Sequence, residues 1–234
     1  MKTKKIVVSI ILYLLVTGVI APKLGAQPLP DLSQFPLHSK YTKSTRPLLF
    51  FITGDGGWNT FSQNLVTELV KNGYAVVTLD SRKYFWGQKS PDLFARDMQL
   101  ILSAYLKSWN KDSYTVIGYS FGADVAAFLP AHLSVNLVPK MNSLILLSPG
   151  LSTGYVIKLK NLLNFGATDK EHYKVYPELL KASLPVWCIF GKDEGSDFYP
   201  LLKESAHLHK IAVPGSHRYN DDTATIYRAV SRGL

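Results

Sequence analysis

Residues 114–127, YTVIGYSFGADVAA, decide the fold of this 234-residue chain. An apolar run at 114–118 predicts a buried strand, and the apolar residues of 121–131 predict a helix directly after it. Between them Gly118-Tyr119-Ser120-Phe121-Gly122 matches G-x-S-x-G. A serine on a sharp strand-to-helix turn needs small residues two positions away on each side, and the turn exposes its Oγ. This context predicts a nucleophilic Ser120; a structural turn with a buried serine is the alternative.

Short apolar runs and helical patterns alternate outward from this motif. We predict further strands at 48–53, 75–79, 143–147, 186–190 and 211–213, and helices at 61–72, 91–109 and 223–230. Strands that alternate with helices are typical of a mainly parallel sheet with helices on both faces. We therefore expect one α/β domain over residues 47–234, with its chemistry at the carboxyl ends of the strands.

A nucleophilic serine requires a base and an acid that orients the base. In hydrolases with this elbow the chain order is serine, acid, histidine. His217 follows the last predicted strand in Pro214-Gly215-Ser216-His217 and fits that order better than the other five histidines. We therefore predict that His217 is the base.

The acid is expected after the strand at 186–190, where Gly191 precedes a short acidic loop. Glu194 is favoured because the acid often falls three residues after the glycine. Asp193 is the more usual residue type and remains an alternative, and Asp197 is a third candidate.

The oxyanion formed by attack of a serine needs two backbone N–H donors. One is expected from Phe121, directly after the nucleophile. The second is expected from the glycine-rich loop after the first predicted strand, which contains Asp55, Gly56 and Gly57. Glycines there could instead cradle a phosphate, but no G-x-x-x-x-G-K-[ST] pattern is present.

Composition narrows the protein class. Hydrophobic residues make up 47% of the chain and charged residues 18%, which excludes a disordered protein. The single cysteine, Cys188, excludes a disulfide within the chain and a cysteine-based zinc site, and we expect no cofactor or metal. After residue 26 no Lys/Arg run exceeds two, so nucleic-acid binding is not expected.

The N-terminus resembles an export signal. Residues 1–26 combine three early lysines, an apolar run from Ile6 to Ala21 and a small-residue site at Leu24-Gly25-Ala26. An uncleaved membrane anchor is the alternative, although the run is short for a spanning helix. Cleavage would remove four lysines and lower the net charge from +9 to +5. Residues 27–46 are expected to form an extended lead-in.

Several motifs together resemble the VirJ/AcvB family of bacterial virulence proteins over roughly residues 47–220. The most specific are the run from Ile117 to Val125 and the triplet Tyr84-Phe85-Trp86. Supporting segments are Gly54-Asp55-Gly56-Gly57-Trp58, Pro91 with Phe94-Ala95 and Asp97, Tyr176-Pro177-Glu178, Gly191-Lys192-Asp193-Glu194 and Pro214-Gly215-Ser216-His217.

The resemblance implies a periplasmic α/β-hydrolase, with the family's serine at Ser120 and its histidine at His217. Members of the AcvB kind are linked to hydrolysis of aminoacylated phosphatidylglycerol, notably lysyl-phosphatidylglycerol, and to virulence or secretion. This implies a membrane phospholipid substrate and contact with an envelope secretion system. Arg218, Tyr219 and Tyr199 depart from the residues usual in the family.

Candidate substrate-binding residues follow from the same region. A lysyl substrate would need a carboxylate, and Asp55, Asp80 and Asp124 all lie near strand ends or the elbow helix; ordinary turn or capping roles are the alternative. The aromatic residues Trp58, Tyr84, Phe85 and Trp86 could line a groove or instead fasten their loops to the core.

Overall fold

The computed structural model describes residues 31–157 and 173–234. The predicted export signal, and part of the irregular stretch 149–185 that we expect to cover the site, lie outside these ranges. Among the helices of the described ranges, none has the length and apolar character needed to cross a membrane.

A seven-stranded sheet forms the centre of the molecule, in the order β1-β3-β2-β4-β5-β8-β9. Its first strand is antiparallel to β3 and all other pairs are parallel. Two short strands, β6 and β7, pair separately. The strands are β1 (Leu37–Lys40), β2 (Leu48–Ile52), β3 (Ala75–Leu79), β4 (Tyr114–Tyr119), β5 (Met141–Leu147), β6 (Ser152–Thr153), β7 (Tyr173–Lys174), β8 (Val186–Gly191) and β9 (Leu208–Val213).

Helices cover both faces of the sheet. Leu48, Phe50 and Ile52 point to a core shared with α3 and α4, whereas Leu49 and Phe51 point to a second core shared with α1 and α7. The α-helices are α1 (Thr60–Lys71), α2 (Ser81–Tyr84), α3 (Pro91–Ser108), α4 (Phe121–Ala126), α5 (Leu129–His132), α6 (Val175–Leu179) and α7 (Thr223–Val230). Three short 3₁₀ turns lie at Val138–Lys140, Tyr199–Leu201 and Tyr219–Asp221.

The predicted fold class is confirmed, with differences in detail. The strand predicted at 211–213 begins earlier, at Leu208, and β1 forms within the segment expected to be an extended lead-in. The helix predicted over 121–131 is interrupted at residues 127–128. Pro130 has no N–H to continue the first helix and instead stands in the first turn of α5.

The parallel strands bring distant segments to one edge of the sheet. Chain segments leave β2, β4, β5, β8 and β9 at the same carboxyl edge because these strands run in the same direction. The glycine-rich loop and the residues Ser120, Ser148, Glu194 and His217 all follow these strands. This edge is therefore where functional groups can converge.

Candidate active site

Ser120 occupies a sharp turn between β4 and α4. Its φ of 52° and ψ of −122° lie in a region that side-chain-bearing residues rarely adopt. Its backbone N–H donates to Leu147 O at 2.8 Å, which fastens the turn to β5. The predicted need for small neighbours has a direct cause. A Cβ at Gly118 would lie 2.5 Å from Gly122 O, and one at Gly122 would overlap the backbone of Ile52 and Thr53.

His217 meets Ser120 across 97 positions of sequence. Its Nε2 lies 2.9 Å from Ser120 Oγ, within hydrogen-bonding distance. The Tyr119 hydroxyl donates to His217 O at 3.3 Å and ties the histidine loop to the end of β4. About half of the His217 side chain is exposed, so the imidazole faces the solvent-accessible side of the serine.

Glu194 is the carboxylate of the acidic loop that faces His217. Its Oε2 lies 3.5 Å from His217 Nδ1, longer than a hydrogen bond, and its side chain is almost fully buried. Asp193 and Asp197 are exposed, and the Asp193 backbone N–H donates to Gly215 O. Of the three acids considered from the sequence, the structure brings only Glu194 to the imidazole.

Ser148, which the sequence analysis did not select, holds Glu194, and Tyr219 lies behind Ser148. Ser148 Oγ donates to Glu194 Oε2 at 2.6 Å. The Tyr219 hydroxyl lies 2.6 Å from Ser148 Oγ and 2.9 Å from Ile189 O, and its one hydrogen can be donated to either oxygen. One feature of the sequence could have indicated Ser148 as a site residue, because it directly follows the apolar run of β5 and so lies at the carboxyl edge of the sheet. Tyr219 is one of the departures from the family pattern and lies fully buried beneath the site.

The glycine-rich loop lies against the nucleophile at its first residue. A Cβ at Gly54 would be 3.4 Å from Ser120 Cβ. Gly57 N–H donates to Gly54 O at 3.0 Å, which closes the loop as a tight turn. The amide of Gly57 is thereby committed within the turn, so Asp55 and Gly56 are the better candidates for an oxyanion donor. The Phe121 N–H belongs to the first turn of α4, where helix N–H groups have no partner within the helix.

Asp124 lies one helical turn after Ser120 in a partly buried position. Its Oδ1 accepts from Gly150 N–H at 2.6 Å. Burial raises the pKa of Asp124 to about 8, and the nearby Asp55 charge acts in the same direction, whereas the Gly150 hydrogen bond opposes them. No Lys or Arg in the described part of the chain forms an ion pair with Asp124. The Asp124 carboxyl is therefore mostly protonated at neutral pH and gains its negative charge as the pH rises through about 8.

Asp80 lies at the other end of the glycine-rich loop. It caps α2 by accepting from Lys83 N–H, and its Oδ2 lies 3.7 Å from Lys83 Nζ. Together with Trp58 and Trp86 it lines a cleft of about 590 Å³. Thus the Asp55 charge acts on Asp124, which follows Ser120 by one helical turn, whereas Asp80 already has a cationic neighbour.

The Tyr84-Phe85-Trp86 triplet divides between core and surface. The Tyr84 hydroxyl donates to Asp97 Oδ2 at 2.6 Å in a buried position. Phe85 is fully buried and packs edge-on against Phe121 at 5.0 Å between ring centroids. Only Trp86 is exposed, at 60% of its surface. The first two rings fasten the loop to the core, and Trp86 alone is available to a ligand.

No group of three or more His, Cys, Asp or Glu residues within 31–157 and 173–234 is arranged to hold a metal ion. The chemistry that these described side chains can perform is nucleophilic attack by a hydroxyl, with proton transfer through an imidazole.

Comparisons with known proteins agree with this architecture. The chain is similar in structure to a lipase-esterase related protein from Clostridium acetobutylicum, with 16% identity, a TM-score of 0.59 and coverage of 85% of this chain and 99% of that one. It is also similar to MenH from S. aureus, with 13% identity, a TM-score of 0.59 and coverage of 84% and 98%. Proline iminopeptidase from Mycobacterium smegmatis matches at 14% identity and a TM-score of 0.58, covering 83% and 92%.

These likenesses are at the level of the fold, which is that of the α/β-hydrolases. No curated protein matches the sequence. A family model described as bacterial virulence protein (VirJ) matches residues 47–234, nearly all of the described structure. The predicted resemblance is therefore confirmed, and the chain belongs to the VirJ family of bacterial virulence proteins.

Proposed function

We propose that this protein is a serine hydrolase that cleaves carboxylic esters. The observation that carries the proposal is the approach of His217 Nε2 to 2.9 Å from Ser120 Oγ, with the serine held in a strained strand-to-helix turn. Strain of this kind costs of order 1–3 kcal/mol and persists where the surrounding structure imposes it. A serine in such a turn, beside an imidazole, is the arrangement that nucleophilic catalysis requires.

The proposed reaction proceeds through an acyl-enzyme. Ser120 Oγ attacks the ester carbonyl carbon while its proton passes to His217 Nε2. The tetrahedral intermediate then collapses, the carbon–oxygen bond to the alcohol breaks, and His217 returns the proton to the departing alkoxide. Water attacks the acyl group on Ser120 by the same route, with His217 first accepting and then donating a proton.

Glu194 and the backbone amides support these steps. The carboxylate of Glu194 stabilises the imidazolium that forms when His217 accepts a proton, and the 3.5 Å gap is expected to tighten with substrate bound. The Phe121 N–H and an N–H of Asp55 or Gly56 would receive the negative charge on the carbonyl oxygen. Loss of one such donor costs roughly 3 kcal/mol in well-studied enzymes.

Within this class we propose the aminoacyl ester of lysyl-phosphatidylglycerol as substrate. Family membership supports the choice, and a cationic acyl group beside Asp124 would favour the ionised form of this carboxyl and pair with it. Asp124 lies one helical turn after the nucleophile, and no Lys or Arg among the described residues forms an ion pair with it. Such a substrate lies in a membrane, which agrees with export to the periplasm through the predicted signal. Another envelope ester or thioester would use the same chemistry.

A fluorophosphonate probe tests the hydrolase. Wild type is expected to label covalently and to hydrolyse a short nitrophenyl ester, and Ser120→Ala should lose both while keeping its circular dichroism spectrum. Ser216→Ala is the matched control, because Ser216 is an exposed serine beside His217. Folded wild type that neither labels nor hydrolyses would instead indicate a non-catalytic partner of an envelope secretion system.

The lipid assignment needs its own comparison. Purified enzyme is offered lysyl-phosphatidylglycerol in vesicles and, separately, an uncharged short-chain ester. Release of free lysine that disappears in Ser120→Ala is expected. Turnover of the uncharged ester with no lysine release would reject the lipid and leave the general esterase.

A further inference from the structure

The cleft beside the glycine-rich loop contains two cations. Arg82 and Lys83 line it together with Gly56, Gly57, Trp58, Asp80 and Trp86. Arg82 is exposed and makes no hydrogen bond or ion pair with the described residues. The Lys83 ammonium lies 3.7 Å from Asp80 Oδ2, and 70% of the lysine side chain remains exposed. An exposed pair at this distance is weak, so both cations are available to a ligand.

The single carboxylate of the cleft does not cancel this charge. Asp80 is buried, caps α2 and lies against Gly57, where a Cβ would overlap Asp80 Oδ1. Its oxygens thus face the backbone N–H and the ammonium group of Lys83. Two exposed cations against one buried carboxylate leave the cleft net positive.

The walls of the cleft suit a small organic anion. Trp58 is held by stacking on His38, with ring centroids 4.4 Å apart and planes 13° apart. Trp86 presents an exposed ring in the same cleft. The volume of about 590 Å³ is within the range of small-molecule sites, which combine apolar walls with a few polar groups.

The cleft is one turn away from the nucleophile. The glycine-rich loop touches Ser120 at Gly54, and at Gly57 it lies against Asp80 and the Cβ of Arg82. The hydrogen bond between Gly57 and Gly54 places the two ends of this turn within about 7 Å of each other. A short polyol could span from an ester on Ser120 to the cations.

We propose that Arg82 and Lys83 bind the phosphate group of the substrate's alcohol portion, so that the enzyme acts on esters of polyol phosphates. Guanidinium and ammonium groups that line one cleft match a group with several anionic oxygens, and the arginine fork recognises phosphate through two parallel hydrogen bonds. The acyl group would then lie toward Asp124 and the phosphate toward Trp86. This assignment rests on the proposed function only for the position of the reacting ester.

Binding is measured first, without catalysis. Calorimetry measures the binding of glycerol 3-phosphate to Ser120→Ala protein, and glycerol is the neutral control ligand. Adding Arg82→Gln and Lys83→Gln should weaken binding at least tenfold, since hydrogen bonds to charged groups contribute more than a factor of ten each. The control variant carries Lys71→Gln and Lys140→Gln in place of the two cleft substitutions. It has the same net charge as the cleft variant, but the changes are at exposed sites away from the cleft, so binding should be unchanged. Equal weakening in both, or no binding to the parent protein, overturns the proposal.

Arg82→Lys separates recognition by the guanidinium fork from charge alone. This variant keeps the charge and should bind glycerol 3-phosphate more weakly than Ser120→Ala alone but more tightly than the Gln pair. Binding as weak as in the Gln pair would still assign the site to Arg82. Binding unchanged in both Arg82→Lys and the Gln pair would place the phosphate elsewhere and overturn the proposal.

Turnover then tests the same site in the active enzyme. Wild type should show at least tenfold higher kcat/KM for the butyryl ester of glycerol 3-phosphate than for that of glycerol. The Arg82→Gln/Lys83→Gln pair should lose this preference, so that its kcat/KM values for the two esters become similar. Equal rates on both esters in wild type contradict the phosphate site and leave the hydrolase intact. Absence of all turnover contradicts the proposed function, whereas the calorimetric result stands.

The source of the phosphate is decided by competition. Vesicles of phosphatidylglycerol and of phosphatidylcholine are added separately to Ser120→Ala protein with glycerol 3-phosphate bound. Displacement by phosphatidylglycerol vesicles but not by phosphatidylcholine vesicles assigns the site to a lipid headgroup. Displacement by neither vesicle, with glycerol 3-phosphate still bound, assigns it to a soluble phosphate ester. Both results support a phosphate site.

Discussion

Ser148 donates its hydroxyl hydrogen to Glu194 Oε2 across 2.6 Å, the same oxygen that faces His217 Nδ1. The carboxylate oxygen that faces the imidazole is therefore also held by a residue 46 positions earlier in the chain. The hydrogen bond fixes the rotamer of Glu194 and satisfies a charge that is almost fully buried. Ser148 is thus a positioning residue, which acts on the proposed reaction through Glu194.

We expect Ser148→Ala to lower kcat about tenfold with little change in KM. The loss follows because Glu194 would no longer be held toward the imidazole, and hydrogen bonds to charged groups contribute about 1.5–3 kcal/mol. Tyr219→Phe is the matched comparison, since it removes a hydroxyl that touches Ser148 but not Glu194. Steady-state kinetics should show the smaller effect in Tyr219→Phe. Equal kcat values for Ser148→Ala and wild type would remove Ser148 from the mechanism.

Gly122→Ala should destabilise the fold by several kcal/mol, because the added methyl group would overlap backbone carbonyl groups of the neighbouring strand segment. Gly87→Ala is the control, since a Cβ there meets nothing within 4 Å. That change should lie within about 1 kcal/mol of wild type. Urea unfolding of both variants measures the difference. Similar midpoints for the two would show that β2 can move away from the elbow.

Asp124 gives the stability a defined pH dependence. Its pKa is about 8 in the folded protein and near 3.8 when unfolded, so the folded state binds more protons between these values. Stability should therefore fall as the pH rises from about 4 to 8, by at most about 1.4 kcal/mol per pH unit from this group. Asp124→Asn should flatten that slope, as urea unfolding at pH 5 and pH 8 can show. An unchanged slope would mean that Asp124 is ionised in the fold.

The same ionisation bears on the cationic substrate. A glycine betaine ester and a 3,3-dimethylbutyryl ester have the same acyl shape, but only the first carries a permanent positive charge. If Asp124 receives the cation, the ratio of kcat/KM for the charged ester to that for the neutral ester should rise through pH 8, after correction for spontaneous hydrolysis. Asp124→Asn should remove this rise. A ratio independent of pH in wild type would place the cation elsewhere.

Tyr84→Phe and Trp86→Ala should have opposite effects. Tyr84→Phe removes a buried hydroxyl that donates to Asp97, so unfolding free energy should fall by about 1–3 kcal/mol without a change in kcat. Trp86→Ala removes an exposed ring, so stability should stay within about 0.5 kcal/mol while KM for the polyol phosphate ester rises. Loss of activity in folded Tyr84→Phe would bring that residue into the substrate groove.

Local features of the sequence were sufficient for the fold class and for the position of Ser120. The elbow motif lies within five residues, and a Cβ at Gly118 would clash with the backbone of Gly122 and Ala123 in the same turn, whereas the clash at Gly122 involves the more distant Ile52 and Thr53. The alternation of buried runs with helical patterns similarly depends on neighbours within one element. Constraints between residues close together in the chain are visible in the sequence, so the fold class and the position of Ser120 could be predicted from the sequence alone.

The partners of Ser120 depended on the tertiary structure. The order of the residues in the chain suggested His217 as the base but did not decide between Glu194 and Asp193 as the acid. These two residues are adjacent, and only the conformation of the loop determines which side chain faces the imidazole. Ser148 and Arg82 gave no comparable signal, because their significance comes from what lies across the sheet edge. By itself the sequence determined a serine elbow in a parallel α/β sheet. The packing of segments far apart in the sequence decided which carboxylate, hydroxyl and cations lie around it, because those contacts exist only when the sheet has formed.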